Sequence, residues 1–408
     1  MRLTVGAFPP RSMASDSLEP SFYSALAKLY WDSLRILDVN ETAAREKIER
    51  RLDETVRDTP ELDNAVLLAY SDDRDIDWRF ASGKVGGEPA QPSHPYHAAS
   101  VGKTFTATIV GMLVEESELA FDDPIHPYLD DELVDGLHEY KGTEYTDEIT
   151  IHHLLSHTSG LPHFHPEERG LFNRKPEQSP DGDTFFDVML ADPDRFWEPE
   201  ESTHWAKENL TPHFPPSGGC YYSEVGYNLL GLIIERATGI EYAEVLADRI
   251  FDPLGMDHSY LAQFSEPSVE SKLPVMDFGI DDRTYDIESY RSFSAWFAGG
   301  QTVNTAEELL RFHRALVAGE LVSEGTLERM RQWNSLYMGL DYGYGLIRLR
   351  PLPFLSKYYS WGGLGATSSF MFYTPALDTF LVGTFNQWSF MTSCMRFLFR
   401  TLRTINKV

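Results

Sequence analysis

Short apolar and alternating runs at both ends of the chain predict the strands of a β-sheet. Residues 65–70 (AVLLAY) and 78–82 are separated by the charged turn 72–75, a pattern typical of a β-hairpin. Near the other end, residues 368–373 and 379–385 flank the turn sequence TPALD and predict a second hairpin. Because the sequence between the hairpins is largely helical in pattern, we expect one sheet assembled from both ends of the chain.

Apolar residues that recur with helical spacing predict the helices between these hairpins. From residue 101 to 114 they occur nearly all round the helix, which is typical of a helix buried inside the molecule. The segment 226–239 ends in a glycine, and Thr305 with Glu308 forms a capping box ahead of an apolar face. Further helices are predicted at residues 22–37, at 48–56, at 150–160 with Thr150 as N-cap and Gly160 as C-cap, and at 390–405.

Together these elements predict an α+β fold with three layers (α/β/α), in which helices flank an antiparallel sheet. We assign residues 1–45 to an N-terminal helical arm, and residues 46–125 and 286–408 to the lobe that contains the sheet. Residues 126–285 form an inserted, mainly helical lobe. Within it, residues 161–219 are rich in Pro, His, Trp and acids and lack periodicity, so we expect loop structure that serves as a pocket wall or lid.

The composition excludes several classes of function. Of the 408 residues 42% are hydrophobic, which suffices for a large core and excludes general disorder. Acidic residues outnumber basic ones by 63 to 35, so the formal charge of −28 would repel nucleic acid and anionic membranes. We therefore expect a small molecule rather than nucleic acid as the binding partner. The oligomeric state is left open.

The sequence also bears on the compartment and on metal chemistry. Cys220 and Cys394 are too few for a disulfide scaffold, and we expect free thiols. The N-terminus lacks the apolar core of a signal peptide, and no run reaches the about 18 apolar residues of a membrane span, so we expect a cytoplasmic protein. His163 and His165 belong to no His-Glu-x-x-His or paired-carboxylate pattern, so neither a metal nor a cofactor is expected.

A serine and a lysine stand three residues apart where the buried helix begins. Ser100 and Lys103 would therefore lie on one face of the helix, within reach of each other. A desolvated lysine has a lowered pKa and can take the proton of a serine, which makes the serine a nucleophile. The helix N-terminus adds free N–H groups that could stabilise an oxyanion. The pair by itself is also compatible with a helix cap and a solvated lysine.

Six segments resemble, in order along the chain, the signature segments of the serine β-lactamase superfamily. This superfamily includes class C β-lactamases, DD-peptidases, D-aminopeptidases and family VIII carboxylesterases. The resemblance spans roughly residues 50–400 and implies the β-lactamase/transpeptidase-like fold. The segments are 98–125 (beginning AASVGK), 149–162 (ITIHHLLSHTSGLP), 222–231 (YSEVGYNLLG), 253–256 (PLGM), 299–312 (GGQTVNTAEELLRF) and 361–373 (WGGLGATSSFMFY).

The resemblance implies a role for each matching position. Ser100 would be the acylated nucleophile and Lys103 its base. Tyr222, which opens a Tyr-Ser-Glu triplet, matches the tyrosine that passes the proton to the leaving group and activates water for deacylation. The backbone N–H groups of Ser100 and Leu364 would form the oxyanion hole, since a backbone donor does not depend on the side chain.

Two positions depart from the usual motifs of the superfamily. Trp361, followed by Gly362 and Gly363, stands where β-lactamases and peptidases carry Lys-Thr-Gly or His-x-Gly, and a tryptophan there resembles the family VIII esterases. A cation that would bind a substrate carboxylate is thus missing from this motif. Glu224 replaces the usual Asn, and an acid near Lys103 could keep that lysine protonated.

The leading hypothesis is a cofactor-free serine hydrolase that cleaves small carboxylic esters through an acyl-serine intermediate. The expected substrate contacts are Glu224, residues 361–363, and the aromatic side chains Phe172 and Trp197, although these aromatic residues could equally fill a helical lobe. No Gly-x-Ser-x-Gly sequence occurs, so an α/β-hydrolase is not supported. The alternative on the same fold is a D-amino-acid peptidase, an amidase or a weak β-lactamase, and a non-catalytic ligand-binding scaffold is a third possibility.

Overall fold

The computed structural model describes residues 40–164, 177–280, 282–351 and 354–408. Its α-helices are α1 Glu41–Arg57, α2 Gly102–Glu115, α3 Asp131–Val134, α4 Ile151–Leu155, α5 Phe185–Ala191, α6 Pro199–Asn209, α7 Glu224–Thr238, α8 Tyr242–Leu246, α9 Phe297–Gly300, α10 Ala306–Ala318, α11 Glu324–Met330 and α12 Met391–Ile405. Among the helices in these ranges, none is long and apolar enough to cross a bilayer. The helix predicted at residues 22–37 lies outside the described residues.

The strands are β1 Asn64–Ser71, β2 Ile76–Val85, β3 Glu88–Pro89, β4 Tyr96–His97, β5 Glu139–Tyr140, β6 Thr143–Glu144, β7 Tyr260–Leu261, β8 Phe278–Ile280, β9 Arg283–Tyr285, β10 Thr302–Asn304, β11 Asn334–Tyr337, β12 Leu340–Tyr342, β13 Ile347–Leu349, β14 Ser360–Leu364, β15 Phe370–Thr374 and β16 Thr379–Thr384. A short 3₁₀ turn, Ala99–Val101, lies directly ahead of α2.

A nine-stranded antiparallel sheet forms the centre of the fold, in the order β11-β12-β13-β14-β15-β16-β1-β2-β3. Both predicted hairpins are present, β1 with β2 and β15 with β16. Strand β1 also pairs with β16, with Leu68 opposite Val382, so segments from the two ends of the chain lie side by side. The prediction of an antiparallel sheet built from both chain ends is therefore confirmed.

Helices cover both faces of the sheet, which explains the uninterrupted apolar run in β1. Side chains of a strand point alternately to its two faces. Val66 and Leu68 belong to a core shared with α2, α7 and α10, whereas Leu67 and Ala69 belong to a second core shared with α1 and α12. A strand buried on both faces carries apolar side chains on both, which explains the lack of alternation in β1. Helices on the two faces of the sheet give the predicted three layers. The boundaries of the lobes stay a prediction.

The capping signals read from the sequence are present at the ends of the long helices. Helix α7 ends at Gly239, which adopts a left-handed conformation with φ 76 that glycine allows without strain. Thr305 and Glu308 form the predicted capping box of α10. Cys220 and Cys394 form no disulfide bond with each other.

Two local predictions are wrong. Helix α4 ends at Leu155, well before Gly160. A Cβ atom at Gly160 would lie 2.0 Å from the carbonyl oxygen of Phe214, so this glycine allows two segments to approach closely instead of ending a helix. The stretch 161–219 contains the helices α5 and α6, each opened by a capping box, and is therefore no uniform loop.

Candidate active site

Ser100 stands in the 3₁₀ turn Ala99–Val101, which leads directly into α2. The turn is strained, because its first residue has φ 48, in a left-handed region that alanine rarely adopts. Hydrogen bonds to the preceding residue, Ala98, hold the turn in place. Its N–H donates to the carbonyl oxygen of Thr302 at 2.9 Å, and Ser369 Oγ donates to its carbonyl oxygen at 2.5 Å. The serine is thus presented by a backbone that the surrounding structure fixes.

Lys103 lies one helical turn further along and makes three polar contacts inside the protein. Its Nζ is 3.4 Å from Ser100 Oγ and 2.5 Å from Glu224 Oε2, and it donates a hydrogen bond to the carbonyl oxygen of Gly299. The side chain of Lys103 is 1% exposed and that of Glu224 is 4% exposed. The lysine is therefore a buried group that touches the predicted nucleophile on one side and an acid on the other.

Glu224 can reach Lys103 because a glycine faces its carboxylate. Glu224 is the first residue of α7, and Ser223 caps that helix. A Cβ atom at Gly299 would lie 2.2 Å from Glu224 Oε2 and 3.4 Å from Lys103 Nζ. Any larger residue at position 299 would consequently displace the carboxylate. The Gly-Gly pair at 299–300 is the sequence signal for this contact, although these glycines were not predicted as site residues.

Tyr222 lies beside the lysine. Lys103 Nζ is 4.9 Å from the centroid of the Tyr222 ring and 5.3 Å from that of Tyr227. The negative faces of aromatic rings stabilise an ammonium group at such distances. The Tyr222 ring also packs on His157 at 4.3 Å and on Tyr342 at 5.8 Å between centroids. Around the lysine amine the structure thus brings together four of the predicted site residues: Ser100, Lys103, Tyr222 and Glu224.

His157 supports Tyr222 and was not among the predicted site residues. Its Nδ1 accepts the backbone N–H of Ser223 at 3.2 Å, so the hydrogen of the neutral ring is assigned to Nε2. Burial and the nearby charge of Lys103 hold the pKa of His157 well below its usual value, which keeps the ring neutral. Its place in the segment LLSHTSG is the one signal that the sequence offered.

Burial decides which groups near Ser100 carry charge. The pKa of Lys103 is lowered chiefly because its ammonium form is removed from water, while the Glu224 carboxylate acts in the opposite direction. Burial raises the pKa of Tyr227 and of Tyr342, so both phenols stay protonated at neutral pH. Among the residues that the structure describes, no three His, Cys, Asp or Glu side chains gather as a metal site would require.

The end of β14 approaches the Ser100 turn. Strand β14 pairs with β15 through residues 361–364 but with β13 through residues 360–362, so its last two residues extend beyond the edge of β13. A Cβ atom at Gly363 would lie 3.2 Å from Val101 Cα, and the glycine therefore permits this close approach. The role of the Leu364 N–H as an oxyanion donor stays a prediction, with the strand end in a suitable place.

The predicted aromatic contacts lie in packed surroundings. The ring of Trp361 packs edge-on against His313 at 5.2 Å, and the guanidinium of Arg331 lies 5.4 Å from its centroid. Trp197 is buried against Phe185, 4.9 Å away, in the core of the helical lobe. This surrounding agrees with the alternative that the aromatic side chains of 161–219 fill the lobe. Substrate contact by Trp361 and Trp197 stays a prediction, and Phe172 lies outside the described residues.

The chain is similar to several known proteins. A family model described as Beta-lactamase matches residues 52–398. Penicillin-binding protein 4* of Bacillus subtilis is 27% identical over 308 residues, which cover 72% of this chain and 61% of that protein. Esterase EstB of Burkholderia gladioli is 30% identical over 250 residues, which cover 60% of this chain and 55% of the esterase. The matches thus span less than two thirds of these relatives.

A solved structure shares the fold over most of its length. The D-amino acid amidase of Ochrobactrum anthropi SV3, in complex with L-phenylalanine amide, superimposes with a TM-score of 0.70 at 22% identity. The alignment covers 89% of this chain and 98% of the amidase. At this level of identity the likeness establishes the fold.

Proposed function

The chain belongs to the beta-lactamase family, and we propose that it is a serine hydrolase that cleaves small carboxylic esters through an acyl-Ser100 intermediate. One observation carries the proposal. A buried lysine amine lies 3.4 Å from Ser100 Oγ at the start of a buried helix, where a base can take the serine proton. The end of β14 lies against the same turn, where a second N–H could join that of Ser100.

The proposed reaction has two steps. In acylation, Ser100 Oγ bonds to the carbonyl carbon of the ester and gives its proton to the Lys103 amine, while the carbonyl electrons move onto the oxygen. The N–H groups of Ser100 and Leu364 stabilise that oxyanion, which collapses as the alcohol leaves with a proton delivered through Tyr222. In deacylation, water attacks the acyl-serine and releases the carboxylic acid. No step needs a metal or a cofactor.

Two features support an ester as the substrate. Esters have better leaving groups than amides. In addition, Trp361 supplies no cation for the carboxylate of penicillins or of peptides with a free C-terminus. An ionic hydrogen bond to such a carboxylate is worth about 1.5–3 kcal/mol, or one to two decades in binding. The matched esterase EstB also belongs to this group of relatives. An amidase that acts on D-amino acid derivatives is the second candidate, favoured by the fold shared with the Ochrobactrum enzyme.

A panel of substrates tests the proposal. Short nitrophenyl esters, nitrocefin and D-alanyl anilides would be assayed side by side, with intact-mass detection of the acyl-enzyme. We expect kcat/KM for the ester at least about a hundredfold above that for nitrocefin or a D-alanyl-D-alanine peptide. A fluorophosphonate should label Ser100, and Ser100→Ala is the matched control. Faster cleavage of the D-alanyl anilide would favour the amidase, and no turnover or labelling would favour a non-catalytic scaffold.

A further inference from the structure

The acid at position 224 departs from the family motif and lies in direct contact with the base. Glu224 Oε2 is 2.5 Å from Lys103 Nζ, and the same amine is 3.4 Å from Ser100 Oγ. The carbonyl oxygen of Gly299 accepts a further hydrogen bond from the amine. An ammonium and an amine both fit these partners, because the ammonium donates to all three oxygens, whereas the amine accepts from the protonated Glu224 and donates to the other two. Geometry alone therefore permits proton movement between lysine and acid.

The burial of the pair favours a proton that is shared. Charged groups that leave water lose solvation, and a buried ammonium–carboxylate pair recovers only part of that loss by mutual attraction. Moving one proton from Lys103 Nζ to Glu224 Oε2 converts the pair into an amine and a carboxylic acid, and the total charge stays zero. Neither form leaves a lone charge in the site. The proton can thus move within the pair at little electrostatic cost. A lysine beside an amide could not pass on its proton in this way, because an amide is too weak a base.

The titratable side chains packed near the pair include Tyr222 and Tyr227, whose rings face Lys103, and His157 and Tyr342, which pack against those tyrosines. His163 lies against the Tyr222 ring at 5.4 Å. His157 is held neutral by burial and by Lys103, and burial raises the pKa of Tyr227 and Tyr342, so these groups do not change charge near neutral pH.

We propose that Glu224 is a positioning residue that shares the proton of Lys103, so that the pair takes up the Ser100 proton as a unit. The inference rests on the proposed function and deepens it. Starting from the ammonium–carboxylate form, Lys103 Nζ passes one proton to Glu224 Oε2, turns its lone pair toward Ser100 and takes the serine proton as Ser100 Oγ bonds to the carbonyl carbon. The pair then holds two protons, and the negative charge resides on the substrate oxyanion. One proton returns through Tyr222 to the leaving alcohol, which restores the starting pair.

The pH dependence of kcat/KM follows from this sharing. In the wild type the pair with one proton is active, and activity is lost on the acid side only when the pair binds a second proton. That event belongs to the coupled pair, so the acid limb reports the pair and not Lys103 alone. Without the acid, activity requires Lys103 to be neutral, so the acid limb moves toward the range of a buried lysine.

The experiment compares the pH profiles of the wild type and Glu224→Gln with a short nitrophenyl ester. We expect the acid limb to move to higher pH by about two units or more, and the activity on the high-pH plateau to stay within about tenfold. Glu224→Asp, which keeps the acid, should hold the limb within about one unit of the wild type. Glu308→Gln is the matched control, since Glu308 is equally buried but caps α10, and its loss should lower stability without moving the limb.

The outcomes are distinct. A shift of the limb to lower pH in Glu224→Gln would mean that Glu224 merely holds Lys103 protonated, and no shift would mean a structural role; either result overturns the inference. If Glu224→Gln does not fold, the wild type decides, because an acid limb above about pH 8 contradicts a shared proton. Fluorophosphonate labelling of wild-type Ser100 tests the proposed function separately. Failure to label would overturn both proposals, whereas labelling with the wrong limb overturns the sharing alone.

Discussion

The contact between Gly299 and the Glu224 carboxylate allows a test of the site without changing any polar group. In Gly299→Ala the new Cβ would lie 2.2 Å from Glu224 Oε2. An uncrowded carbon–oxygen contact needs at least about 3.2 Å, so the carboxylate must retreat by about 1 Å. Because this Cβ and Lys103 Nζ subtend an angle of about 90° at Oε2, that retreat lengthens the Nζ–Oε2 distance only from 2.5 Å to about 2.7 Å, and the hydrogen bond persists in a shifted direction.

The expected loss is the cost of forcing a buried carboxylate out of its packed position. Inserting an extra carbon into a well-packed interior costs about 1–3 kcal/mol. We therefore expect Gly299→Ala to lower the free energy of unfolding by about 1–3 kcal/mol. If the pair works as a unit in acylation, the shifted carboxylate should lower kcat/KM by about tenfold, since each 1.4 kcal/mol is a factor of ten.

Equilibrium denaturation and ester kinetics measure the two effects. Gly226→Ala is the control, because a Cβ there meets Leu154 at no less than 3.7 Å, an ordinary contact, and α7 gains a better helix former. The control should keep full activity and match or exceed the wild type in stability. The reasoning is refuted if Gly299→Ala retains kcat/KM within about threefold of the wild type with an unchanged free energy of unfolding.

Four further predictions follow. Tyr222→Phe and Lys103→Ala should each lower kcat by roughly 10²–10⁴ without unfolding the protein, and the double variant should lose little more than the worse single one; additive losses would indicate separate steps. Trp361→Lys should improve kcat/KM for carboxylate-bearing substrates relative to neutral esters by about tenfold, and an unchanged ratio would remove Trp361 from specificity. Trp197→Leu should lower the melting temperature and leave the ranking of esters by chain length intact; a changed ranking would restore its pocket role. Burial lowers the pKa of His313 to about 3, so the unfolded chain binds a proton below about pH 6.5 that the folded chain binds only near pH 3. The free energy of unfolding should therefore decrease as the pH falls from about 6.5 to about 3. Denaturation at several pH values should show a smaller decrease in His313→Leu.

The sequence could predict the sheet and the long helices because their signals are local. An apolar run bounded by turns, such as residues 65–70, indicates a buried strand whatever it pairs with, and a capping box such as that of Thr305 depends on four residues. The prediction that Gly160 ends a helix was wrong for the opposite reason. Its requirement comes from the carbonyl oxygen of Phe214, a contact that no local pattern reveals.

The site was predictable to the extent that its residues sit in motifs. Ser100 and Lys103 share one helical turn, and Tyr222 and Glu224 share one segment, so their types and spacing could be read directly. How Glu224 meets Lys103 could not be read, since it depends on α2, α7 and the glycine at 299 converging from three parts of the chain. The same holds for His157, whose ring reaches Tyr222 through the fold rather than through sequence spacing.

The pairing of β1 with β16 also determines how late in synthesis the central sheet can be completed. Strand β1 finds its partner only after residues 379–384 have left the ribosome, and β14 takes its place beside β15 and β16 in the same late event. Such long-range pairing makes folding slow and leaves early segments waiting for late ones. The nascent chain therefore carries Ser100 for most of translation without strand β14, whose end lies against the Ser100 turn in the folded molecule.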